Sequence, residues 1–457
     1  MIRAVRRPLL AVIAVAIVVG GWLAVPLLAG PADLVSQLRP SPTAPGAIAS
    51  PGVTSSPGIT PGPGGSPAGR PTPSVVPGEL GASPPAGIPH VGTTTATPML
   101  RAALDAQLAR LRVKTGIPGI SVAILFPDGT TWLGTAGLAD IGAGRAVTPD
   151  TAFPVASVSK TFTAALILAL VQDGRVRLDA SARAYVPTLA IDPTITIGEL
   201  LDHTSGLRDF FLGAGIDKAL IAQPAQVWDA ARSLSYLGKP FAKPGAEWHY
   251  ANTNYLVLGM VAEAVGGAPV ADQLRARFLS PLGLDHTYVQ AVETPRGPVV
   301  HDYRFAGPGL SLPAIDLSDG TAVMPFTSVV TAAGAAGSIA STAEDLVHWA
   351  KSLYAGTALE RTTRNLMVDD VLRTVRFKPT TAYGLGVQAV VVDGRPTLGH
   401  SGRYLGARAV VRWLTEDRIA IAVLTNQSRA DPNAIAASLL QTALAPQVDC
   451  SSCAILP

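Results

Sequence analysis

Hydrophobic and polar positions change period several times along this chain. In "TPMLRAALDAQLARLRV", Leu100, Leu104, Leu108 and Leu111 recur at three- and four-residue steps. Thr97 stands before them as a cap and Pro98 at the first helical position, so the pattern predicts an amphipathic helix. "GISVAILFPDGTTWLGTAG" then reads as two strands around the turn Pro127-Asp128-Gly129. The far end mirrors this arrangement. "YGLGVQAVVVDGRPTLGHSG" predicts a hairpin about Asp393-Gly394, and "ARAVVRWLTEDRIAIAVLTNQ" another about Glu416-Asp417. A closing helix is expected from Asp431-Pro432 to about Ala445. Between the two strand groups, residues 157–354 read mostly as helix and loop. Within them, "SVSKTFTAALILALVQDG" carries Phe162, Ala165, Leu166, Ala169 and Leu170 at helical spacing and stops at Gly174. Terminal strands that bracket a helical middle predict an α+β domain: one antiparallel sheet flanked by terminal helices, with a mostly α-helical insertion.

The first hundred residues follow neither period. Residues 1–7 are short and basic, with Arg3, Arg6 and Arg7, and residues 8–32 carry no charge. "LLAVIAVAIVVGGWLAVPLLAG" is long enough to cross a bilayer as a helix. With the arginines ahead of it, it predicts a cytoplasmic N-terminus, a membrane anchor over residues 8–30 and an extracytoplasmic remainder. A cleaved signal sequence is the competing reading, and it would release a secreted protein. Residues 31–97 are rich in Pro, Gly, Ser and Thr and show no hydrophobic periodicity. This composition predicts a disordered tether with a reach of about 45 Å, enough to stand a domain off the membrane within a cell wall. The expected organisation is therefore N-terminus 1–7, anchor 8–30, linker 31–97, folded domain 98–446 and tail 447–457.

Charge and cysteine content narrow the function. Thirty-five Lys and Arg against 32 Asp and Glu leave a net charge of +3 over 457 residues. These charges are not clustered, so no nucleic-acid partner is expected. The two cysteines, Cys450 and Cys453, stand in "DCSSC" after the last predicted helix. In an oxidising compartment that position favours a small tail disulfide over a redox pair. The seven histidines show no metal-ligand spacing, so neither a metal nor a cofactor is expected.

Three short stretches carry candidate chemistry. Ser157 before an apolar helix is ordinarily a cap. Lys160, however, lies in the first turn, where the positive end of the helix dipole favours anions over a lysine. Ser-x-x-Lys puts an amine about one turn from the hydroxyl, and a neutral amine there can take the serine proton. The second stretch is "YAN", where Tyr250 can relay protons and Asn252 can hold a substrate amide, against the ordinary reading of packing and capping. The third is "HSG" at the end of an edge-like strand. His400 can orient a carboxylate there, and Gly402 lets a substrate backbone lie flat.

Together and in this order, the three stretches resemble the serine β-lactamase and penicillin-binding-protein superfamily: Ser-x-x-Lys, Tyr-x-Asn, then Lys/His-Thr/Ser-Gly. The branch containing class C β-lactamases and Streptomyces-type D-alanyl-D-alanine carboxypeptidases is the more similar one. "LLDHTSGL" at 200–207, "PLGLDHT" at 281–287 and "AAGSIASTAEDLVHW" at 335–349 resemble the same branch. The resemblance implies a β-lactamase/transpeptidase-like fold and Ser157 as acylated nucleophile, with Lys160 as its base. It implies Tyr250 as the proton relay, Asn252 on the substrate's acyl-side amide, and His400 and Ser401 on its carboxylate. The oxyanion hole would be the backbone N–H groups of Ser157 and Arg403. Arg403 departs from the small polar residue frequent at its position. Asp202 and His203 are read as structural.

The expected function is thus an exported, membrane-tethered serine hydrolase working through an acyl-enzyme. D-alanyl-D-alanine carboxypeptidase-like action on cell-wall peptides comes first, and β-lactamase or esterase action second. A non-catalytic sensor of muropeptides or β-lactams is the reading from another class. An α/β-hydrolase reading of "GHSGR" fails because Arg403 replaces the last glycine and a strand follows where a helix is needed.

Overall fold

The computed structural model describes residues 96–305, 314–369, 372–373 and 381–445. The expected anchor, nearly all of the linker and the Cys450–Cys453 pair lie outside the described residues. Helix α1, Pro98–Thr115, starts where Thr97 accepts a hydrogen bond from the Leu100 N–H and ends at Gly116 in the left-handed region. Nine strands then form one sheet: β1 Gly119–Leu125, β2 Thr131–Asp140, β3 Arg145–Ala146, β4 Leu372–Arg373, β5 Thr381–Tyr383, β6 Gln388–Val392, β7 Arg395–Arg403, β8 Arg408–Leu414 and β9 Ile419–Thr425. Their spatial order is β3-β2-β1-β9-β8-β7-β6-β5-β4, and every pairing is antiparallel. The β6–β7 hairpin turns at Asp393 and Gly394, both at positive φ, as a two-residue turn between twisted strands requires.

Both faces of the sheet are covered, so β1 and β9 are buried at every position. Ile120, Val122, Ile124, Ile421 and Val423 face α1 and the closing helix α5, Pro432–Leu444. The alternate residues Ala123, Leu125, Ala420 and Ala422 face the helical insertion. Small residues in that row let helices sit close to the strands. The insertion is built on α2, Ser159–Gln172, whose residues from Ser159 to Leu170 are all buried. A helix apolar on every side belongs inside a core. Phe162 of α2 stacks on Trp349 of α4, Ala343–Tyr354, at 4.1 Å between ring centroids. Across the same interface the Trp349 indole donates to Thr161 Oγ1 at 2.9 Å.

The insertion also contains short strands that periodicity did not predict. Phe153–Pro154, immediately before Ser157, pairs with Ile339–Ser341, which also pairs with Tyr288–Val289. Strands of two or three residues are too short to show alternation. They matter because they fix the chain on either side of the Ser157 turn: Val155 N donates to Ile339 O at 3.0 Å, and Ile339 N to Ser159 Oγ at 3.1 Å.

Candidate active site

The chain enters α2 through a 3₁₀ turn, Ala156–Val158, rather than directly as an α-helix. Ala156 stands at φ 47°, a strained conformation for a residue with a Cβ. This turn lifts Ser157 out of the helix end. Neither it nor α2 has a side-chain cap, so Ser157 does not cap the helix it precedes. Its hydroxyl instead lies 3.2 Å from Lys160 Nζ.

Lys160 is fully buried. Its Nζ also reaches Asn252 Oδ1 at 2.7 Å and the Ala336 carbonyl at 2.9 Å. Desolvation pulls the amine down to about 7, and the charge of Asp209 opposes this only in part. A neutral amine has two N–H groups and one lone pair. Asn252 and Ala336 present acceptors to the two N–H groups, which leaves the lone pair for the Ser157 hydroxyl.

Asn252 is the first residue of α3, Asn252–Gly266, and Tyr250 stands two residues before it. The helix is capped by Ala251 without a side-chain bond, so the Asn252 carboxamide is not spent on capping. Its Nδ2 donates to Asp209 Oδ2 at 2.8 Å. The half-buried Tyr250 stands beside Lys160, whose Nζ lies 4.9 Å from its ring centroid. Burial raises the Tyr250 phenol above its ordinary value. It therefore stays protonated at neutral pH, fit to pass a proton and not to act as a resident tyrosinate.

The strand side is arranged differently. β7 is not an edge strand: it pairs with β8 through Arg403 and with β6 as far as Gly399. Only beyond Gly399 is its β6 side open. Ser401 N there donates to Gln388 Oε1 at 3.1 Å, and the Ser401 hydroxyl lies 3.3 Å from the same oxygen. Gly402 packs against the Ser157 turn so closely that a Cβ would stand 2.0 Å from the Val155 carbonyl. Glycine is required here by close approach, which brings the backbone at Arg403 beside the Ser157 turn. The Arg403 side chain is exposed.

His400 departs from the expected cation. It is 1% exposed, and burial, helped by the charge of Lys160, pushes its imidazole down to about 3. Both ring nitrogens are engaged. Nδ1 lies 2.7 Å from the Ser401 carbonyl and must donate to it, which leaves Nε2 to accept from Tyr383 Oη at 3.0 Å. Tyr383 Oη lies 3.3 Å from His203 Nε2, and His203 Nδ1 accepts from Ala251 N and Asn254 Nδ2. Protons thus run one way along the line from His203 through Tyr383 to His400. Asp202 accepts from the Thr204 N–H and hydroxyl and shapes its own turn.

Sequence reasoning did not single out Asp209 or Tyr383. Asp209 reads as the cap of a short turn, and it does accept from Phe211 N at 3.0 Å. That ordinary role hides its second bond. Tyr383, in "TAYGLG", offers only an aromatic residue in a strand. Among the described residues no group of three or more His, Cys, Asp or Glu could hold a metal ion. No single helix among them is long and apolar enough to cross a membrane.

Comparison with known proteins identifies the family. The Beta-lactamase family model matches residues 100–445. The chain is 31% identical over 333 residues to penicillin-binding protein 4 of Amycolatopsis lactamdurans, covering 69% of this chain and 82% of that protein. It is 26% identical over 348 residues to a D-aminopeptidase of Cereibacter sphaeroides, covering 75% of this chain and 62% of that one. The crystal structure of D-amino acid amidase from Ochrobactrum anthropi SV3, complexed with L-phenylalanine amide, superposes with a TM-score of 0.64 at 27% identity. That match covers 75% of this chain and 98% of the amidase.

Proposed function

The chain belongs to the beta-lactamase family of serine hydrolases, and we propose that it cuts amide bonds beside a D-configured residue in short peptides, through an acyl-enzyme on Ser157. One observation carries this reading: the buried Lys160 amine, with two fixed acceptors, keeps its lone pair for the serine hydroxyl.

Each residue then has a defined part. Lys160 takes the Ser157 proton as Oγ attacks the substrate carbonyl. The carbonyl oxygen, turning anionic, is received by the backbone N–H groups of Ser157 and Arg403, which the close packing of Gly402 brings together. Tyr250, beside Lys160, passes a proton to the leaving amine and afterwards helps activate the water that releases the acyl group. The free N–H of Asn252 serves the acyl-side amide. Ser401 and the open end of β7 form the rail along which the substrate lies, and the buried His400 holds that rail's carbonyl rather than the substrate. No cofactor takes part in these steps.

D-alanyl-D-alanine carboxypeptidase action on cell-wall peptides is the first choice, supported by the likeness to a penicillin-binding protein. Cleavage of D-amino acid amides or of N-terminal D-residues is the second. It is favoured by the uncharged His400, which offers a C-terminal carboxylate no cation, and by the amidase and aminopeptidase likenesses. Comparing kcat/KM for D-Ala-D-Ala peptides, D-amino acid amides, a chromogenic cephalosporin and a short-chain ester separates these activities. A single stoichiometric acylation without turnover on any of them would replace the enzyme with a sensor.

Residues 8–30 would anchor this activity on the outer face of the plasma membrane, with residues 31–97 as tether. The full-length protein should then fractionate with membranes and shed a soluble domain to external protease. A mature N-terminus beyond Gly30 in the culture fluid would make the segment a signal sequence instead.

A further inference from the structure

Asn252 bridges two buried groups of opposite character. Its Oδ1 faces Lys160 Nζ at 2.7 Å and its Nδ2 faces Asp209 Oδ2 at 2.8 Å. A carboxamide can be turned end for end at little steric cost, so its neighbours must decide which way it points. Asp209 decides here. Its carboxylate, 1% exposed, also accepts from the backbone N–H of Phe211 at 3.0 Å. Ionised, and with these two donors converging on it, it can only receive from Asn252. The loop that carries it is tied to α3 as well, because Phe210 N donates to Thr253 Oγ1 at 2.9 Å and Thr253 Oγ1 donates to Arg208 O at 2.7 Å.

The orientation has a chemical consequence. With Oδ1 toward Lys160, one amine N–H is satisfied and the lone pair is left for Ser157. With the amide reversed, Nδ2 would face the amine and claim that lone pair. We infer that Asp209 is a positioning residue for acylation: it fixes the Asn252 carboxamide so that Lys160 presents its lone pair to Ser157. This inference rests on the acyl-enzyme reading above.

Other titratable groups near Lys160 are Tyr250 just before α3, Tyr255 on it, His203 in the turn after residues 197–201, and His400 on β7. Burial keeps all four uncharged at neutral pH. That leaves Asp209 as the neighbour whose charge acts on the amine: burial raises its carboxyl to about 6, so it is ionised at neutral pH and holds the amine's pKa up.

The test is Asp209→Asn, which keeps the size of the side chain and an acceptor for Phe211 N. Single-turnover acylation by benzylpenicillin, followed by intact mass across pH 5–10, is compared with wild type alongside a thermal melt. The carboxamide introduced by this substitution can donate to a reversed Asn252. The pH-independent acylation rate should then fall by about 10- to 100-fold, the cost of misdirecting one charge-assisted hydrogen bond. The acidic limb should also move to lower pH, because the amine has lost its anionic neighbour. A folded variant that acylates at the wild-type pH-independent rate overturns the inference, whether or not its acidic limb moves and whatever happens to its melting temperature. A variant that does not fold overturns it too, because Asp209 would then be a structural cap. Wild type that is never acylated at Ser157 removes the acyl-enzyme reading itself, a different failure from either.

Discussion

The helix side and the strand side of this site use buried polar groups for opposite ends. On the helix side, Lys160 is buried but its lone pair is left for Ser157, so the cost of burying the amine becomes a base available near neutrality. On the strand side, His400 is buried just as deeply and both its ring nitrogens are occupied by Ser401 O and Tyr383. Burial alone therefore does not make a group reactive. What decides is whether its hydrogen-bond capacity is exhausted. In the proposed mechanism one side holds the chemistry and the other the rail along which the substrate lies.

Substitutions on the two sides should accordingly fail in different ways. The largest effect belongs to Ser157→Ala, which should abolish covalent labelling by a penicillin or fluorophosphonate probe, whereas Ser401→Ala should still label. Retained labelling in the first would move the nucleophile to the strand side. Next comes Lys160→Ala, where loss of the general base should slow acylation by about 10²- to 10⁴-fold, as stopped-flow labelling would measure. Equal rates would take the lysine out of the mechanism.

Tyr383→Phe sharpens the contrast from the other side. It strands the His203 Nε2–H and the His400 Nε2 lone pair in the interior, so the melt should report a loss of about 1–3 kcal/mol. Acylation should change less than in Lys160→Ala. A stable variant with no activity would make the strand-side line chemical rather than structural. The smallest effect is expected for Arg403→Ala. The exposed side chain sits at the open end of β7, so kcat/KM for a free-acid peptide should fall a few-fold relative to its amide. An unchanged ratio would show that the side chain takes no part in recognising the substrate's end.

The same contrast separates what the sequence could reveal from what it could not. Ser-x-x-Lys is local geometry: three residues of helix fix the pair, and the lysine's misplaced charge advertised it. The terminal helices and the central strands were likewise written in periodicity, with Thr97 and Asp431 as caps where expected. His400 was legible as a motif residue but not as a neutral one, because its state depends on Tyr383 and His203, far away in sequence and gathered only by folding. β7 looked like an edge for a similar reason: the side chain of Gln388 covers part of a side left open by strand pairing. Asp209 was hidden behind a cap it also makes.

The central claim is that a neutral, buried Lys160 activates Ser157, and single-turnover acylation with adduct mapping tests it most directly. Wild-type protein is reacted with benzylpenicillin across pH 5–10, the rate is taken from intact mass, and the modified peptide is sequenced. Below the lysine's folded-state pKa the amine is protonated and cannot accept the serine proton; above it the base is present. The adduct should therefore lie on Ser157, and its rate should rise with pH through an apparent pKa of about 7 and then level off. An adduct on Ser401, or a rate still climbing toward the pKa of a free lysine at about 10.4, would contradict the account.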